Sequence, residues 1–168
     1  VLACSPFVAD LLRRKPQLLL DLVVSGQLQQ SLPDAEFRDE LHRMLCRDGA
    51  ELSPLLRQYR AWHMLRIVWR DFCRLADTLE TVRDTSLLAE AAIAEALAIS
   101  QAELESRHGV PIGRDSGEAQ RLIVLAMGKL GAQELNVSSD IDLIFVYPEA
   151  GQTDSKEQPI SNEEFFTK

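Results

Sequence analysis

The 168 residues of this chain suit one domain, or one domain and part of another, and a content of 46% hydrophobic and 26% charged residues is typical of a soluble protein with a packed core. The net charge of −8 argues against a broad binding surface for nucleic acid, although a local basic patch stays open. No apolar run reaches the ~18 residues that a membrane span requires. We therefore expect a protein that binds neither nucleic acid nor membrane.

The cysteines and the termini indicate the compartment and the completeness of the chain. The first residues, VLACSPF, lack the basic stretch of a signal peptide. Cys4, Cys46 and Cys73 form no CxxC pair and no metal-finger spacing, so we expect small buried side chains in a reducing, cytoplasmic compartment. The chain lacks an initiator Met and stops at Lys168 without a terminating signal, so we expect a piece of a longer protein.

Residues 1–109 predict a bundle of helices. Three short helices are predicted from their boundary residues: Ser5-Pro6 opens the first, Pro16 precedes the second over Gln17–Val24, Ser25-Gly26 closes it, and Asp34 caps a third that Gly49 ends. The longest helix begins near Ser53-Pro54, and its apolar stripe consists of Leu55, Tyr59, Trp62, Leu65, Trp69, Phe72, Ala76 and Leu79. We expect Trp62 and Trp69 in the core. Another helix covers Leu87–Glu105 and stops at His108-Gly109.

Three arginines, Arg66, Arg70 and Arg74, follow one another at intervals of four residues on the longest predicted helix. Such a row is able to face an acidic partner or a nucleotide. The alternative is a solvated edge with Asp71 and Asp77 as local partners, which we favour because exposed charge pairs of this kind are common on helices.

The pattern changes after Gly109. Two short apolar runs, Leu122–Met127 and Ile141–Val146, predict buried strands, and Lys129–Leu135 between them predicts a short helix or turn. The polar segment Gly151–Asn162 predicts a mobile loop, and Glu163–Phe166 predicts the start of a helix.

The predicted fold class is therefore α+β and mostly α. A helical bundle covers residues 1–109, a linker containing Pro and Gly covers 110–120, and the first strands of a truncated α/β domain cover 121–168.

Gly128, Asp140 and Asp142 carry the chemistry of the second half. Residues two apart on a strand point to the same face, so the two carboxylates are predicted to project together and to share a hard divalent cation. A glycine-led loop lets backbone N–H groups approach phosphate oxygens. The structural alternative is a turn glycine and two solvated aspartates at a strand end. We favour the functional interpretation because aspartate is poor in strand interiors and all three residues flank apolar strands.

The order of residues resembles a nucleotidyltransferase signature: a hydrophobic residue, Gly, a small residue and, about ten residues later, Asp-hydrophobic-Asp-hydrophobic. The segment GKLGAQELNVSSDIDLIF is similar to the glutamine synthetase adenylyltransferase family within the polymerase-β-like superfamily. Lys129 departs from the Gly or Ser usual in the superfamily, but GKLG resembles this narrower family. The resemblance extends upstream to Leu56–Phe72 and downstream to Tyr147–Gly151.

The resemblance implies an enzyme with two nucleotidyltransferase halves. One half attaches AMP to a tyrosine of glutamine synthetase, and the other removes it by phosphorolysis, taking up phosphate and releasing ADP. The segment ELNVSSDIDLIF, with Asn136 and Ser138-Ser139, resembles the N-terminal, adenylyl-removing half. Expected partners are adenylylated glutamine synthetase, phosphate, ADP and ATP and, through the full-length enzyme, a PII-type signalling protein.

The resemblance also implies roles for individual residues. Asp140 and Asp142 are the expected catalytic residues and ligands of Mg²⁺ or Mn²⁺. The expected phosphate- or nucleotide-binding residues are Gly128, Lys129, Ser138 and Ser139, with an ordinary exposed lysine as the alternative at Lys129. The superfamily normally uses a third carboxylate on a later strand, and no strand after Asp142 supplies one. We therefore expect the fragment alone to be inactive.

Two other functions stay open at this point. The chain is alternatively part of another superfamily enzyme with a different protein or nucleotide acceptor. It is also compatible with a helical protein-docking module in which the Asp-x-Asp loop is not catalytic.

Overall fold

The computed structural model describes residues 1–47 and 51–168 and divides them into two compact units. The first unit comprises Val1–Ile93 with Ala132–Asp140, and the second comprises Ala94–Gly131 with Ile141–Lys168. This division differs from the boundary predicted at residue 109, because a segment of the second half, Ala132–Asp140, packs into the helical unit. Residue Gly49, predicted to end the third helix, lies outside the described residues.

Five helices are described in the first half of the chain: α1 Pro6–Arg14, α2 Gln17–Val24, α3 Asp34–Leu45, α4 Leu52–Phe72 and α5 Thr78–His108. The Ser5 hydroxyl accepts the N–H of Val8 at 3.3 Å, which confirms the predicted cap of α1. The predicted bounds of α2 are also confirmed, with Gly26 at φ +74° after its last turn. Asp34 is the first residue of α3 rather than its cap, since Pro33 takes the N-cap position.

The prediction that the long helix reaches Leu79 is wrong, because α4 ends at Phe72. Arg74 adopts a left-handed φ of +57°, and the N–H of Leu75 donates to the carbonyl of Arg70 at 2.8 Å, which turns the chain. The Asp77 carboxylate then accepts the N–H of Glu80 at 2.8 Å at the start of α5. The apolar spacing continues through this turn, so periodicity alone does not reveal it.

Two apolar clusters form the core of the first unit. The first joins residues of α3, α4 and α5: Phe37, Leu41, Tyr59, Met64, Ile67, Leu88 and Ala91. The second joins α1, α2 and α4 with the segment after α2: Val8, Leu22, Leu28, Leu65 and Val68. Trp62 and Trp69, predicted to lie in the core, are half-buried and pack against the second cluster.

The expectation of buried cysteines is wrong, because Cys4, Cys46 and Cys73 are all exposed. Cys46 and Cys73 take the C-cap positions of α3 and α4, and Cys4 lies in the turn before α1. These helix ends lie at the surface, so a small apolar side chain there has no core to enter.

The prediction that the three arginines form a solvated edge of the long helix is also wrong. Arg66 is fully buried, and it donates to the Asp84 carboxylate at 2.9 Å and to the carbonyls of Gln27 at 3.1 Å and Gln30 at 2.5 Å. Burial lowers the pKa of Arg66, and the Asp84 carboxylate acts in the opposite direction. The guanidinium nevertheless stays protonated, so a buried cation joins α4 to α5 and to the segment after α2.

Arg70 extends this network one turn further along α4. Its guanidinium is almost fully buried and donates to Glu80 on α5 at 2.7 Å, to the carbonyl of Leu28 at 2.6 Å and to the carbonyl of Leu75 at 2.9 Å. Arg74 lies beyond the end of α4, so the three arginines do not form one row.

The second unit contains two antiparallel strand pairs and two short helices. Their bounds are β1 Pro111–Gly113, β2 Ile123–Ala126, α6 Gly128–Gly131, β3 Leu143–Val146, β4 Gly151–Thr153 and α7 Asn162–Thr167. Strand β1 pairs with β4 and β2 pairs with β3. The predicted strands and the helix after Glu163 are confirmed. Residues 110–120 and 151–162, predicted as linker and loop, instead contribute β1 and β4.

Hydrogen bonds to the Glu149 carboxylate explain why residues 110–120, predicted as a linker, are ordered. It accepts the N–H groups of Asp115 and Ser116, the latter at 3.0 Å, and the Ser116 hydroxyl at 2.5 Å. The Ser116 hydroxyl and then these N–H groups hold the pKa of Glu149 below its usual range.

Among the described residues, no helix has the length and apolar character needed to cross a membrane.

The buried position of Arg66 predicts a large stability effect. Within residues 1–47 and 51–168, Arg66→Met leaves Arg83 as the one remaining ionic partner of the buried Asp84 and frees two carbonyls, so we expect a loss of about 3 kcal/mol in the free energy of unfolding. The exposed Arg13, with the Asp10 carboxylate at 2.7 Å, supplies the control, and Arg13→Met is expected to cost less than about 1 kcal/mol. Urea unfolding of both variants measures the two losses in the free energy of unfolding. Equal losses would contradict a structural role for the buried Arg66 guanidinium.

Candidate functional site

The β2–β3 hairpin places Gly128 and Asp142 at the same end of one strand pair. The ladder ends at the pair Ala126–Leu143, and beyond it the N–H of Met127 donates to the carbonyl of Asp142 at 2.9 Å. Asp140 and Asp142 precede β3 rather than opening it as predicted, because the ladder begins only at Leu143. Both carboxylates are exposed, as are Gly128 and Lys129.

Two glycines shape the one-turn helix α6, each for a different reason. Gly128 has a φ of +56°, which favours glycine, although a Cβ there would meet no atom within 4 Å. At Gly131 the limitation is space, since a Cβ would lie 2.4 Å from the carbonyl oxygen of Ala126. The chain after β2 therefore turns tightly against the end of its own strand.

The following segment, Ala132–Asp140, is part of the helical unit. The N–H of Leu135 donates to the hydroxyl of Ser86 on α5 at 3.1 Å, and the Leu135 side chain is buried. Val137 packs against both apolar clusters of the bundle. Gln133, at a left-handed φ of +59°, donates its amide to Glu90 on α5 at 2.8 Å. Helix α5 thus fixes the approach to Asp140.

Asn136 organises the turn before Asp140. Its side-chain oxygen accepts the N–H and the hydroxyl of Ser138, both at 3.2 Å, and the hydroxyl of Ser139 at 2.8 Å. Its backbone carbonyl accepts the N–H of Ser139 at 3.1 Å. Ser138 and Ser139, predicted to bind phosphate or nucleotide, therefore direct their hydroxyl hydrogens to Asn136, and a phosphate contact by either requires an exchange of that bond.

The predicted burial of the two strands is wrong. Exposed apolar side chains occur on both strands and in the residues next to them: Ile123, Leu125, Met127, Ile141, Ile144, Phe145 and Val146. A strand becomes buried only when other elements cover its faces, and β2 pairs only with β3 among the described residues. The composition of a strand indicates that its apolar side chains favour burial, but it does not indicate whether another element covers them.

The donor set at Asp140 and Asp142 fits a magnesium ion. Mg²⁺ is commonly bound through one or two carboxylates, with water and substrate phosphates completing its shell. Among residues 1–47 and 51–168, no group of three or more His, Cys, Asp or Glu side chains is placed to hold a metal. Asp140 and Asp142 are two exposed carboxylates, the ligand type that Mg²⁺ uses.

The sequence prediction did not identify Ser86 or the organising role of Asn136. The Asn-x-Ser-Ser order is itself a signal for the turn, because Asn side chains accept hydrogen bonds from residues two and three positions later. No local signal indicates Ser86, which lies 49 residues before Leu135.

Comparison with known proteins adds a family context. The family model for glutamate-ammonia ligase adenylyltransferase matches residues 1–168. A bifunctional glutamine synthetase adenylyltransferase/adenylyl-removing enzyme of Pseudomonas aeruginosa is 47% identical over 170 residues, covering 100% of the chain and 17% of the relative. A protein of the same name from Nitrosococcus oceani is 44% identical over 99% of the chain and 17% of the relative. The chain thus spans about 17% of the length of these relatives.

A third relative has higher identity over a shorter region. The protein of the same name from Chromobacterium violaceum is 54% identical over 116 residues, which is 69% of the chain and 13% of the relative.

The two glycines of α6 predict different costs. Gly131→Ala forces a Cβ against the Ala126 carbonyl, so we expect a loss of about 2–3 kcal/mol in the free energy of unfolding. Gly128→Ala meets no atom and is expected to cost about 1 kcal/mol through its positive φ alone. The control, Gly117→Ala, combines a φ of +69° with open space and is expected to match Gly128→Ala. Urea unfolding ranks the three, and a Gly131 variant as stable as the others would refute the steric argument.

Proposed function

Because the chain belongs to the glutamate-ammonia ligase adenylyltransferase family, we propose that residues 128–142 bind phosphate and a divalent metal in a nucleotidyl-transfer site that acts on glutamine synthetase. The observation that carries this proposal is the 2.9 Å bond from the N–H of Met127 to the carbonyl of Asp142. It joins the glycine turn, which is proposed to bind phosphate, to the second aspartate. The names of the relatives supply the substrate, glutamine synthetase.

Asp140 and Asp142 are the proposed ligands of Mg²⁺ or Mn²⁺. The metal, when bound, neutralises charge on phosphate oxygens. Gly128, exposed and without a side chain, leaves the backbone after β2 open to a phosphate group. Lys129, also exposed, adds positive charge next to that backbone. The Asp-x-Asp carboxylates and the glycine turn therefore bind complementary parts of one phosphate–metal unit.

The proposed reaction is removal of AMP from the modified tyrosine of glutamine synthetase. An oxygen of hydrogen phosphate attacks the phosphorus of the tyrosyl-AMP ester and the bond from that phosphorus to the tyrosine oxygen breaks. The proton of the hydrogen phosphate passes to the departing tyrosine oxygen, so the products are ADP and a free tyrosine hydroxyl. The ELNVSSDIDLIF wording supports the adenylyl-removing half over the adenylyl-attaching half. ATP and a PII-type signalling protein are proposed partners of the full-length enzyme, in the cytoplasm.

Removal of the two carboxylates tests the proposal. In the full-length enzyme, Asp140→Asn/Asp142→Asn keeps the shape of both side chains and removes the charges that hold the metal, so we expect Mg²⁺-dependent ADP release to fall at least about a hundredfold. The control, Asp10→Asn/Asp21→Asn, removes the same charge from exposed positions of α1 and α2 and is expected to stay within about twofold.

Two outcomes would count against the proposal in different ways. If the Asp140/Asp142 double variant retains Mg²⁺-dependent deadenylylation, these residues are not the metal ligands. The 168-residue chain, assayed beside it, is expected to release no ADP from adenylylated glutamine synthetase because it contributes only two carboxylates to the site. Appreciable release would overturn the proposal that the fragment alone is inactive.

A further inference from the structure

We propose that Ser86 on α5 is a positioning residue for Asp140, acting through the buried backbone of Leu135 and the turn that Asn136 organises. The inference rests on the proposed function, since it concerns the loop that presents one of the two proposed metal ligands. Ser86 itself makes no contact with substrate or metal in this proposal.

The first step is the contact between Ser86 and the loop. Ser86 is 0% exposed, and its hydroxyl donates to the carbonyl of Val82 at 2.8 Å while it accepts the N–H of Leu135 at 3.1 Å. The single hydroxyl hydrogen is used within α5, and an oxygen lone pair remains for the loop. Without this oxygen, the buried N–H of Leu135 loses its acceptor, which is costly in a site closed to water.

The second step runs from Leu135 to Asp140. Asn136, the next residue, accepts three hydrogen bonds through its side-chain oxygen from Ser138 and Ser139. Its own carbonyl accepts the N–H of Ser139, the residue immediately before Asp140. The backbone is therefore fixed by hydrogen bonds from Ser86 to the position that precedes the proposed ligand.

Further contacts show that the loop is ordered by the bundle rather than by its own sequence. The Val137 side chain packs against both apolar clusters, and the Gln133 amide donates to Glu90 on α5. Gln133 also adopts a left-handed φ of +59°, a conformation that non-glycine residues take up only when their surroundings determine it. These contacts and the Ser86 hydrogen bond together hold the loop in one conformation.

Such ordering matters for a metal ligand. Mg²⁺ and Mn²⁺ sites need carboxylate oxygens at defined positions, and a loop that is disordered before binding loses affinity because it must be ordered at that moment. Ser86 reduces this cost by fixing the loop before the metal arrives. Its removal is therefore expected to weaken metal binding even when the fold survives.

The test compares Ser86→Ala with Thr85→Val in the full-length enzyme. Thr85 is the matched control, because it is also buried on α5 and its hydroxyl donates within the helix, to the carbonyl of Thr81. Two readouts are measured: amide hydrogen exchange in residues 132–140, and the Kd for Mn²⁺ from electron paramagnetic resonance. Ser86→Ala is expected to speed exchange and to raise the Kd about three- to tenfold, the effect of one hydrogen bond, and Thr85→Val to change neither.

The outcomes separate this inference from the proposed function. If Ser86→Ala changes loop exchange and the Mn²⁺ Kd no more than Thr85→Val does, Ser86 is merely structural and the inference fails. Asp140→Asn/Asp142→Asn is measured in the same titration and is expected to abolish the Mn²⁺ binding at this site that Ser86→Ala weakens. If that double variant leaves the Mn²⁺ Kd unchanged, the proposed metal site fails, whereas the exchange data still decide whether Ser86 orders the loop.

Discussion

A fully buried guanidinium is the constraint on which the helical unit depends. Arg66 has no access to water, so every one of its donors must meet an acceptor inside the protein, and the acceptors come from Asp84 on α5 and from the backbone after α2. These requirements fix α4, α5 and the segment after α2 relative to one another. Asp84 lies two residues before Ser86 on α5, so the same helix that carries the counterion of Arg66 also carries the contact to the motif loop.

The motif is supported by two sets of contacts with different physical character. Around Gly128 and Asp142, the contacts are the ladder of the β2–β3 hairpin and the tight backbone of α6. Around Leu135 and Asn136, they are a buried hydroxyl, apolar packing and a side-chain oxygen with three donors. A short sequence motif thus depends on residues far from it in the chain, and this dependence gives the helical bundle a role in presenting Asp140.

The sequence predicted what local rules determine. The Ser5 cap, the bounds of α2 and the two strands follow from spacing and turn residues within a few positions, and the family resemblance followed from an unbroken segment. The errors concern long-range facts. The burial of Arg66 depends on carbonyls 36 and 39 residues away, so its neighbours Asp71 and Asp77 suggested the wrong partners. In the same way, the composition of β2 and β3 could not reveal that their apolar side chains are exposed.

The central claim is that Asp140 and Asp142 hold a divalent metal. Anomalous X-ray scattering from Mn²⁺ in crystals of the full-length enzyme tests it most directly, because it locates the ion without reference to activity. The account predicts an anomalous peak about 2.1 Å from a carboxylate oxygen of each aspartate, close to the distance at which oxygen ligands bind Mg²⁺. Crystals that show Mn²⁺ elsewhere in the enzyme but no peak within bonding distance of either carboxylate would contradict it.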